Sequence, residues 1–177
     1  MTAEELLRRS DVGERSELVH GELVLRPFES GEHGLVSGRV QFALGCWARD
    51  TGAGRVLAGG TGFLLSRDPD TVRAPDGAFL PQERVRGRRM GDGYVTTRPG
   101  LVVEVVSEQD EQEGIGMRVG AWLDFGVDEV WVVDPKRRTV TVHGAVRDAR
   151  VYRHGEEVAG DGVLAGFSMQ VAALFGV

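Results

Sequence analysis

The sequence predicts an α/β domain, a sheet flanked by helices, with a β-meander added on its C-terminal side. Two apolar runs, residues 101–106 and 130–133, have the length and valine content of strands covered on both faces. A helix predicted over residues 108–125 separates them. Short strands with turns at His154-Gly155 and Asp161-Gly162 follow over residues 139–167. We therefore expect helices packed on a core sheet that continues into a meander.

The N-terminal third predicts a short helix, a hairpin and a long helix. Thr2 and Glu5 have the spacing of a capping box, which opens a helix through about Arg9. Residues 17–25 predict two short strands joined at His20-Gly21, and a helix follows over residues 32–50. The apolar residues that define the expected buried face of this helix are Leu35, Val36, Val40, Phe42, Leu44 and Trp47.

The middle and end of the chain alternate strands with helices. Glycine-punctuated strands are predicted over residues 55–58 and 62–66. The helix over residues 108–125 has a stripe of apolar residues facing the sheet, and residues 169–175 form a last turn of helix. The stripe consists of Ile115, Val119, Trp122 and Leu123.

Composition bounds the class of protein. With 177 residues, 41% of them apolar, we expect a single domain over residues 1–177. Apolar runs of about six residues fall far short of the ~20 of a membrane helix, and the first residues lack the regions of a signal peptide, so we expect a cytoplasmic protein. Cys46 is the only cysteine, which excludes an intrachain disulfide and a four-cysteine zinc site. Beside Trp47, we expect it to be a buried apolar filler.

A net charge of −6 opposes nucleic-acid binding through the whole surface but allows a local basic patch. Arginines concentrate in one glycine-containing stretch and are candidates for DNA contact. The alternative is a solvated, mobile loop, because like charges repel. These residues are Arg84, Arg86, Arg88 and Arg89.

Glu104 lies in the middle of an apolar strand, where an unpaired carboxylate costs several kcal/mol. Such a residue needs a cation, a donor network or water beside it, so Glu104 is a candidate metal ligand. Asp76 begins another short segment upstream. Two carboxylates on strands, with a helix between the core strands, could bind a divalent cation that catalyses the hydrolysis of phosphodiester bonds.

Several pieces of the sequence occur in the order found in one family of nucleases. Together they resemble the restriction endonuclease family often labelled Uma-two, within the PD-(D/E)XK nuclease superfamily. The resemblance spans residues 17–134. The pieces are Glu17-Leu18-Val19-His20-Gly21-Glu22-Leu23, His33 at a helix start, Pro75-Asp76, residues 102–107 and residues 126–135.

This resemblance implies a restriction-endonuclease-like core, a mixed sheet flanked by helices with the site at one end. Asp76 and Glu104 match the two acidic positions, and they would hold Mg²⁺ or Mn²⁺ together with the backbone carbonyl of Val105. The ion would activate water and neutralise charge on the scissile phosphate. DNA is the implied partner, and we expect a homodimer because two sites most simply cut two strands.

The chain departs from the family at its lysine. The superfamily position two residues after the second acid is Val106, and the family's helix lysine corresponds to Arg118. Arg118 falls on the inward stripe of its helix, where its guanidinium can clamp a phosphate but cannot act as a neutral amine. Lys136, the only lysine, follows a turn, and we do not expect it to substitute. The alternative for Arg118 is an ion pair with Glu104 or Asp76 in an inactive site.

Three further residues match the family's opening region. Glu17 and Glu22 are candidate accessory acids near the metal, with surface carboxylates as the alternative. His33 could contact metal-bound water or a phosphate. The alternative is that it forms a structural hydrogen bond. The sequence thus predicts a metal-dependent DNA endonuclease. The alternative function is an inactive homologue that binds nucleic acid or another partner.

Overall fold

A computed structural model describes residues 1–9, 15–107, 114–144 and 147–176. Thr2 and Glu5 form the predicted capping box: Glu5 N donates to Thr2 Oγ1 (3.2 Å), and Thr2 N donates to Glu5 Oε2 (2.7 Å). The helix ends at Leu7, before the expected Arg9. The elements of this N-terminal part are α1 (Ala3–Leu7), β1 (Arg15–Val19), β2 (Glu22–Arg26) and α2 (Gly31–Thr51).

The predicted hairpin is confirmed, and it is part of a small sheet. His20 and Gly21 have φ of 50° and 83°, the two positive values that a tight turn between twisted antiparallel strands requires. The strand order is β2-β1-β5-β4, in which β4 is Phe63–Ser66 and β5 is Thr71–Arg73. This sheet brings the opening hairpin alongside the segment that precedes Asp76.

A six-stranded mixed sheet forms the centre of the fold, as the family resemblance implied. Its order is β10-β9-β8-β7-β6-β3. Strands β7 and β8 are parallel, and their neighbours in the sheet pair antiparallel. The strands are β3 (Gly54–Ala58), β6 (Gly77–Pro81), β7 (Leu101–Val105), β8 (Glu129–Asp134), β9 (Thr139–Gly144) and β10 (Arg147–Arg153).

Helices cover both faces of this sheet. Because successive strand residues point to opposite faces, Val103 and Val105 pack with α2, whereas Val102 packs with the helix α4 (Ile115–Phe125). Residues 108–113, which we predicted to begin this helix, lie outside the described residues. The remaining elements are α3 (Gln82–Val85), β11 (Glu157–Ala159), a 3₁₀ turn (Gly162–Leu164), β12 (Ser168–Gln170) and α5 (Ala172–Phe175).

The predicted faces of α2 need correction. Leu35 and Phe42 are 53% and 74% exposed. Val36, Val40 and Leu44 follow one another at intervals of four and form the buried ladder, so Leu35 and Phe42 fall on a neighbouring stripe. The last predicted helical turn is shorter than expected, because β12 takes up its first residues.

The structure bears on the expectations for Cys46 and for membrane-spanning helices. Cys46 is half-buried rather than buried, because it too lies beside the inner ladder of α2. Among the described residues, no helix has the length and apolar character needed to cross a membrane.

Candidate active site

Glu104 lies near the end of β7 on the face covered by α4, and it is 3% exposed. Arg118 Nη2 donates to both of its carboxylate oxygens at 3.0 Å, and Trp122 Nε1 donates to Oε1 at 2.6 Å. Arg118 and Trp122 are four residues apart, so one face of α4 carries both donors to the same carboxylate. The prediction that Arg118 faces inward is confirmed.

Glu17 reaches the same guanidinium from the opening hairpin. Arg118 Nη1 donates to Glu17 Oε2 at 2.8 Å, Arg73 Nη1 donates to the same oxygen at 3.0 Å, and Ala74 N donates to Oε1 at 2.9 Å. Glu17 is therefore a buried member of the cluster, and the surface alternative is wrong for it. Glu22 is exposed and pairs with Val19 across the hairpin, a position that fits the surface alternative.

Asp76 is clamped where β6 begins. Its Oδ2 accepts a hydrogen bond from Val105 N at 2.8 Å, so the side chain completes the edge of β7. Ser37 Oγ and Gln41 Nε2, both on α2, donate to its backbone carbonyl at 3.0 and 2.8 Å. These contacts fix the carboxylate beside the residue that follows Glu104.

His33 meets Asp76 from the start of α2. Ser30 caps this helix, and the cap directs the imidazole toward the sheet. His33 Nε2 lies 3.1 Å from Val105 O and 3.3 Å from Asp76 Oδ2. It also lies 3.7 Å from Glu29 Oε2. These distances are those of hydrogen bonds and ion pairs, so the imidazole lies directly against the Asp76 carboxylate and the Val105 carbonyl.

Arg15, Glu29 and Arg73 belong to the site but were not among the predicted residues. Arg15 Nη1 lies 3.7 Å from Asp76 Oδ1 and 3.6 Å from Glu29 Oε1. Arg15 is two residues before Glu17 on β1, so both side chains point to the same side. This spacing from Glu17 is the sequence signal by which Arg15 could have been found. Nothing comparable distinguishes Glu29 from other acids on loops.

The buried charges shift one another's ionisation. Burial raises the pKa of Glu104 to about 7. The charges of Asp76 and Glu17 add to this effect, and Arg118 opposes it. Burial also opposes ionisation of Glu17, but Arg118 and the other donors hold its pKa below the ordinary value. For His33, the carboxylates of Asp76 and Glu29 outweigh burial and raise the pKa. Glu104 is thus the carboxylate whose charge is least compensated.

Oxygen donors of the kind that bind Mg²⁺ or Mn²⁺ are present in this cluster. Asp76, the Val105 carbonyl and His33 lie together, whereas both oxygens of Glu104 are held by Arg118. Within the described parts of the chain, no group of three or more His, Cys, Asp or Glu side chains is arranged as a complete metal site. Glu104 would therefore have to turn partly from Arg118 to share an ion with Asp76.

The chain is similar to one family of proteins over nearly its whole length. The family model Uma2, described as "Putative restriction endonuclease", matches residues 3–172. The chain belongs to the Uma2 family. The crystal structure of a putative nuclease from Anabaena variabilis matches with a TM-score of 0.82 and 18% identity, covering 99% of this chain and 97% of that one. No curated protein matches the sequence. The restriction-endonuclease-like fold expected from the resemblance is confirmed.

In this Uma2 chain, the two positions at which the resemblance led us to look for a lysine are occupied by other residues. Val106, two residues after Glu104, donates its backbone N–H to Val133 O at 2.8 Å and continues the sheet. Arg118 takes the place that the resemblance assigns to the helix lysine. The only lysine, Lys136, lines a cleft of about 600 Å³ that His33 also lines. Lys136 and His33 therefore share a cleft, although Asp76 and Glu104 do not line it.

The predicted arginine patch lies away from the carboxylates. Strand β6 begins beside Asp76 and runs toward Pro81, and α3 starts only after it. Arg84 Nη2 donates to Asp128 Oδ2 at 2.6 Å, and Nη1 donates to Pro99 O at 2.9 Å, both at the opposite end of the sheet. Arg84 is therefore tied to that end. The other three arginines of the patch, Arg86, Arg88 and Arg89, are exposed.

Proposed function

We propose that this protein is a divalent-metal-dependent DNA endonuclease that hydrolyses phosphodiester bonds. The observation that carries the proposal is the convergence of Asp76, the Val105 carbonyl and His33 beside the buried Glu104, at the end of two neighbouring strands. Membership in a family described as restriction endonucleases supports the same activity. Buried carboxylates that cannot all be neutralised by their neighbours are the groups that attract a cation.

Asp76, Glu104 and the carbonyl of Val105 would hold Mg²⁺ or Mn²⁺, with His33 beside them. The bound ion supplies a Lewis acid that activates water and neutralises charge on the phosphate. Carboxylate and carbonyl oxygens suit both ions, whereas an imidazole suits Mn²⁺ better than Mg²⁺. Val105 N fixes the direction of the Asp76 carboxylate, and Trp122 fixes that of Glu104.

Arg118 supplies the fixed positive charge of the site. Its two amino groups bind different carboxylates, so it positions Glu104 while Glu17 keeps the guanidinium in place. A permanently charged group next to the scissile phosphate stabilises negative charge as the bond breaks. Arg118→Lys should retain or raise cleavage, and Arg118→Met should reduce it by roughly 10²-fold, the scale for losing one electrostatic stabiliser.

The test compares Asp76→Asn with Asp128→Asn, a carboxylate at the opposite end of the sheet. We expect wild type and Asp128→Asn to bind Mn²⁺ in calorimetry and to nick plasmid or single-stranded DNA with Mg²⁺ or Mn²⁺. Asp76→Asn should lose both properties, while its circular dichroism stays that of wild type. Cleavage that survives Asp76→Asn comes from another site or a contaminant. A wild type that neither binds Mn²⁺ nor cleaves DNA would make the protein an inactive homologue.

We also propose that the protein acts as a homodimer, because two strands are most simply cut by two sites, with one strand in each. Light scattering measures this directly through the molar mass, with 19.2 kDa expected for one chain. A monomeric mass at assay concentrations, together with cleavage of both strands, contradicts the proposal.

A further inference from the structure

Phe28 is an exposed aromatic residue next to the candidate active site. It is 80% exposed and lies between β2 and α2, two residues before Ser30 caps the helix that carries His33. Both Phe28 and His33 line the cleft of about 600 Å³. A ring this exposed gains nothing from the core, and an exposed aromatic beside a polar site is the surface on which an unpaired base stacks.

Other residues that line the cleft follow the ends of two parallel strands. Val106 and Ser107 follow β7, and Pro135 and Lys136 follow β8. Because parallel strands end at the same edge of a sheet, the chain's only lysine follows the edge where β7 and β8 end, and it lines the cleft together with Phe28. An ammonium in this position suits one phosphate group.

The acidic residues of the cleft are largely compensated. Glu29 lies 3.6 Å from Arg15, and Asp134 accepts a hydrogen bond from Arg137 at 2.6 Å. Glu32 and Lys136 carry opposite charges. The lining holds three carboxylates, and Arg15 and Arg137 beside it offset two of them, which weakens the repulsion of a phosphate that enters beside Lys136.

We infer that the cleft binds one unpaired DNA strand, with a base stacked on Phe28 and a phosphate beside Lys136. This inference rests on the proposed nuclease function, because the strand would pass His33, whose Nε2 lies 3.3 Å from Asp76 Oδ2. A cleft of about 600 Å³ is within the ~300–1,000 Å³ of small-ligand sites, so the part of the DNA that enters it is the size of a few atoms of one strand. The preferred substrate is then single-stranded DNA, or a flap or loop within a duplex.

The experiment measures binding in EDTA, where no metal-dependent cleavage occurs. Fluorescence anisotropy gives the affinity of the full-length protein for a labelled 12-nucleotide single strand, the matching duplex and an RNA of the same sequence. We compare Phe28→Ala, Phe28→Trp and the control Phe42→Ala, since Phe42 is also exposed (74%) but lies on α2 and does not line the cleft. A strand containing 2-aminopurine reports stacking directly.

Phe28→Ala should weaken single-strand binding by roughly 5- to 100-fold, the range for losing one stacked base, whereas Phe28→Trp and Phe42→Ala should keep it. The 2-aminopurine quenching should disappear in Phe28→Ala. Lys136→Met should lower the slope of log affinity against log salt by about 0.7, the value for one phosphate contact in a single strand, and Lys136→Arg should keep the slope.

Several results overturn the inference. One is equal single-strand affinity of wild type and Phe28→Ala; another is duplex binding as tight as single-strand binding. RNA bound as tightly as DNA overturns the assignment to DNA. The nuclease proposal fails separately: Phe28-dependent binding without any cleavage rejects the nuclease and leaves the cleft as a strand site. Cleavage that needs Asp76 but not Phe28 rejects only the cleft.

Discussion

Replacing Arg118 by methionine removes the cation that two buried carboxylates share. Glu17 keeps its hydrogen bonds from Arg73 and Ala74, whereas Glu104 keeps only that from Trp122 among its described contacts. Breaking a buried ion pair by removing one partner costs about 3–5 kcal/mol.

Two features place the expected loss at the lower end of that range. The pKa of Glu104 is already about 7, so protonation relieves part of its buried charge once Arg118 is gone. The Nε–H of Arg118 is buried and has no partner among the described residues, so the mutation also removes an unsatisfied donor. We expect a loss of about 3 kcal/mol in the free energy of unfolding, or roughly 6–12 °C in Tm for a chain of this size.

The assay is urea unfolding at pH 7.5 in EDTA, so that no metal compensates for the missing charge. Arg118→Lys serves as the charge-retaining control. The double variant Glu104→Gln, Arg118→Met tests the cause, because it removes the carboxylate that the single variant leaves buried. We expect it to be more stable than Arg118→Met, with a coupling energy of about 1–3 kcal/mol.

The reasoning is refuted if Arg118→Met unfolds within about 1 kcal/mol of wild type with an unchanged m value. It is also refuted if the double variant is no more stable than Arg118→Met, because the loss would then come from packing of the arginine stem. Either result would mean that Glu104 does not depend on Arg118 for its charge.

Three further predictions concern the fold. Gly54→Ala should lower stability by several kcal/mol in urea unfolding, because a Cβ there would collide with the backbone oxygen of Leu80. Gly34→Ala, with open space around it in α2, should instead raise stability by ~0.5–1 kcal/mol. Asp70 accepts a hydrogen bond from Ala3 N at 2.7 Å, which lowers its pKa below the ordinary 3.8. Its contribution is therefore fully present above the ordinary pKa of 3.8 and is lost as pH falls through the lower pKa of the folded state, so Asp70→Asn should be less stable than wild type at pH 7, and the urea midpoints of the two proteins should converge only below pH 3.8.

Much of the fold follows from local patterns in the sequence. The strands β7 and β8 are buried on both faces, so two short runs rich in valine were a sufficient signal. The capping box and the His20-Gly21 turn depend on residue types at fixed spacings. The buried face of α2 was harder to predict. Its two large exposed residues, Leu35 and Phe42, are apolar and lie on a stripe next to the buried ladder. Only the sheet beneath the helix decides between neighbouring stripes.

The site was predictable where chemistry conflicts with burial. Glu104 in an apolar strand and Arg118 on an inward stripe both violate the expected pattern, and the structure joins them. Arg84 follows Asp76 closely in sequence, yet β6 carries the chain five residues, about 17 Å, to the other end of the sheet. Proximity in sequence therefore overstated proximity in space. Arg73 was missed because its role depends on the partner strand of the small sheet.

The bond between Arg118 and Glu17 joins residues that are 101 positions apart in the chain. It connects α4, on the central sheet, to the opening hairpin of the small sheet. Contacts with such long sequence separation form late in folding, because a large loop must close before they contribute free energy. The guanidinium can therefore reach both carboxylates only after the two sheets have come together. A chain that is still folding would lack the assembled site. So would a chain that is cut between the hairpin and α4 and whose two pieces separate. Any hydrolytic activity of this site would therefore require the fully folded protein.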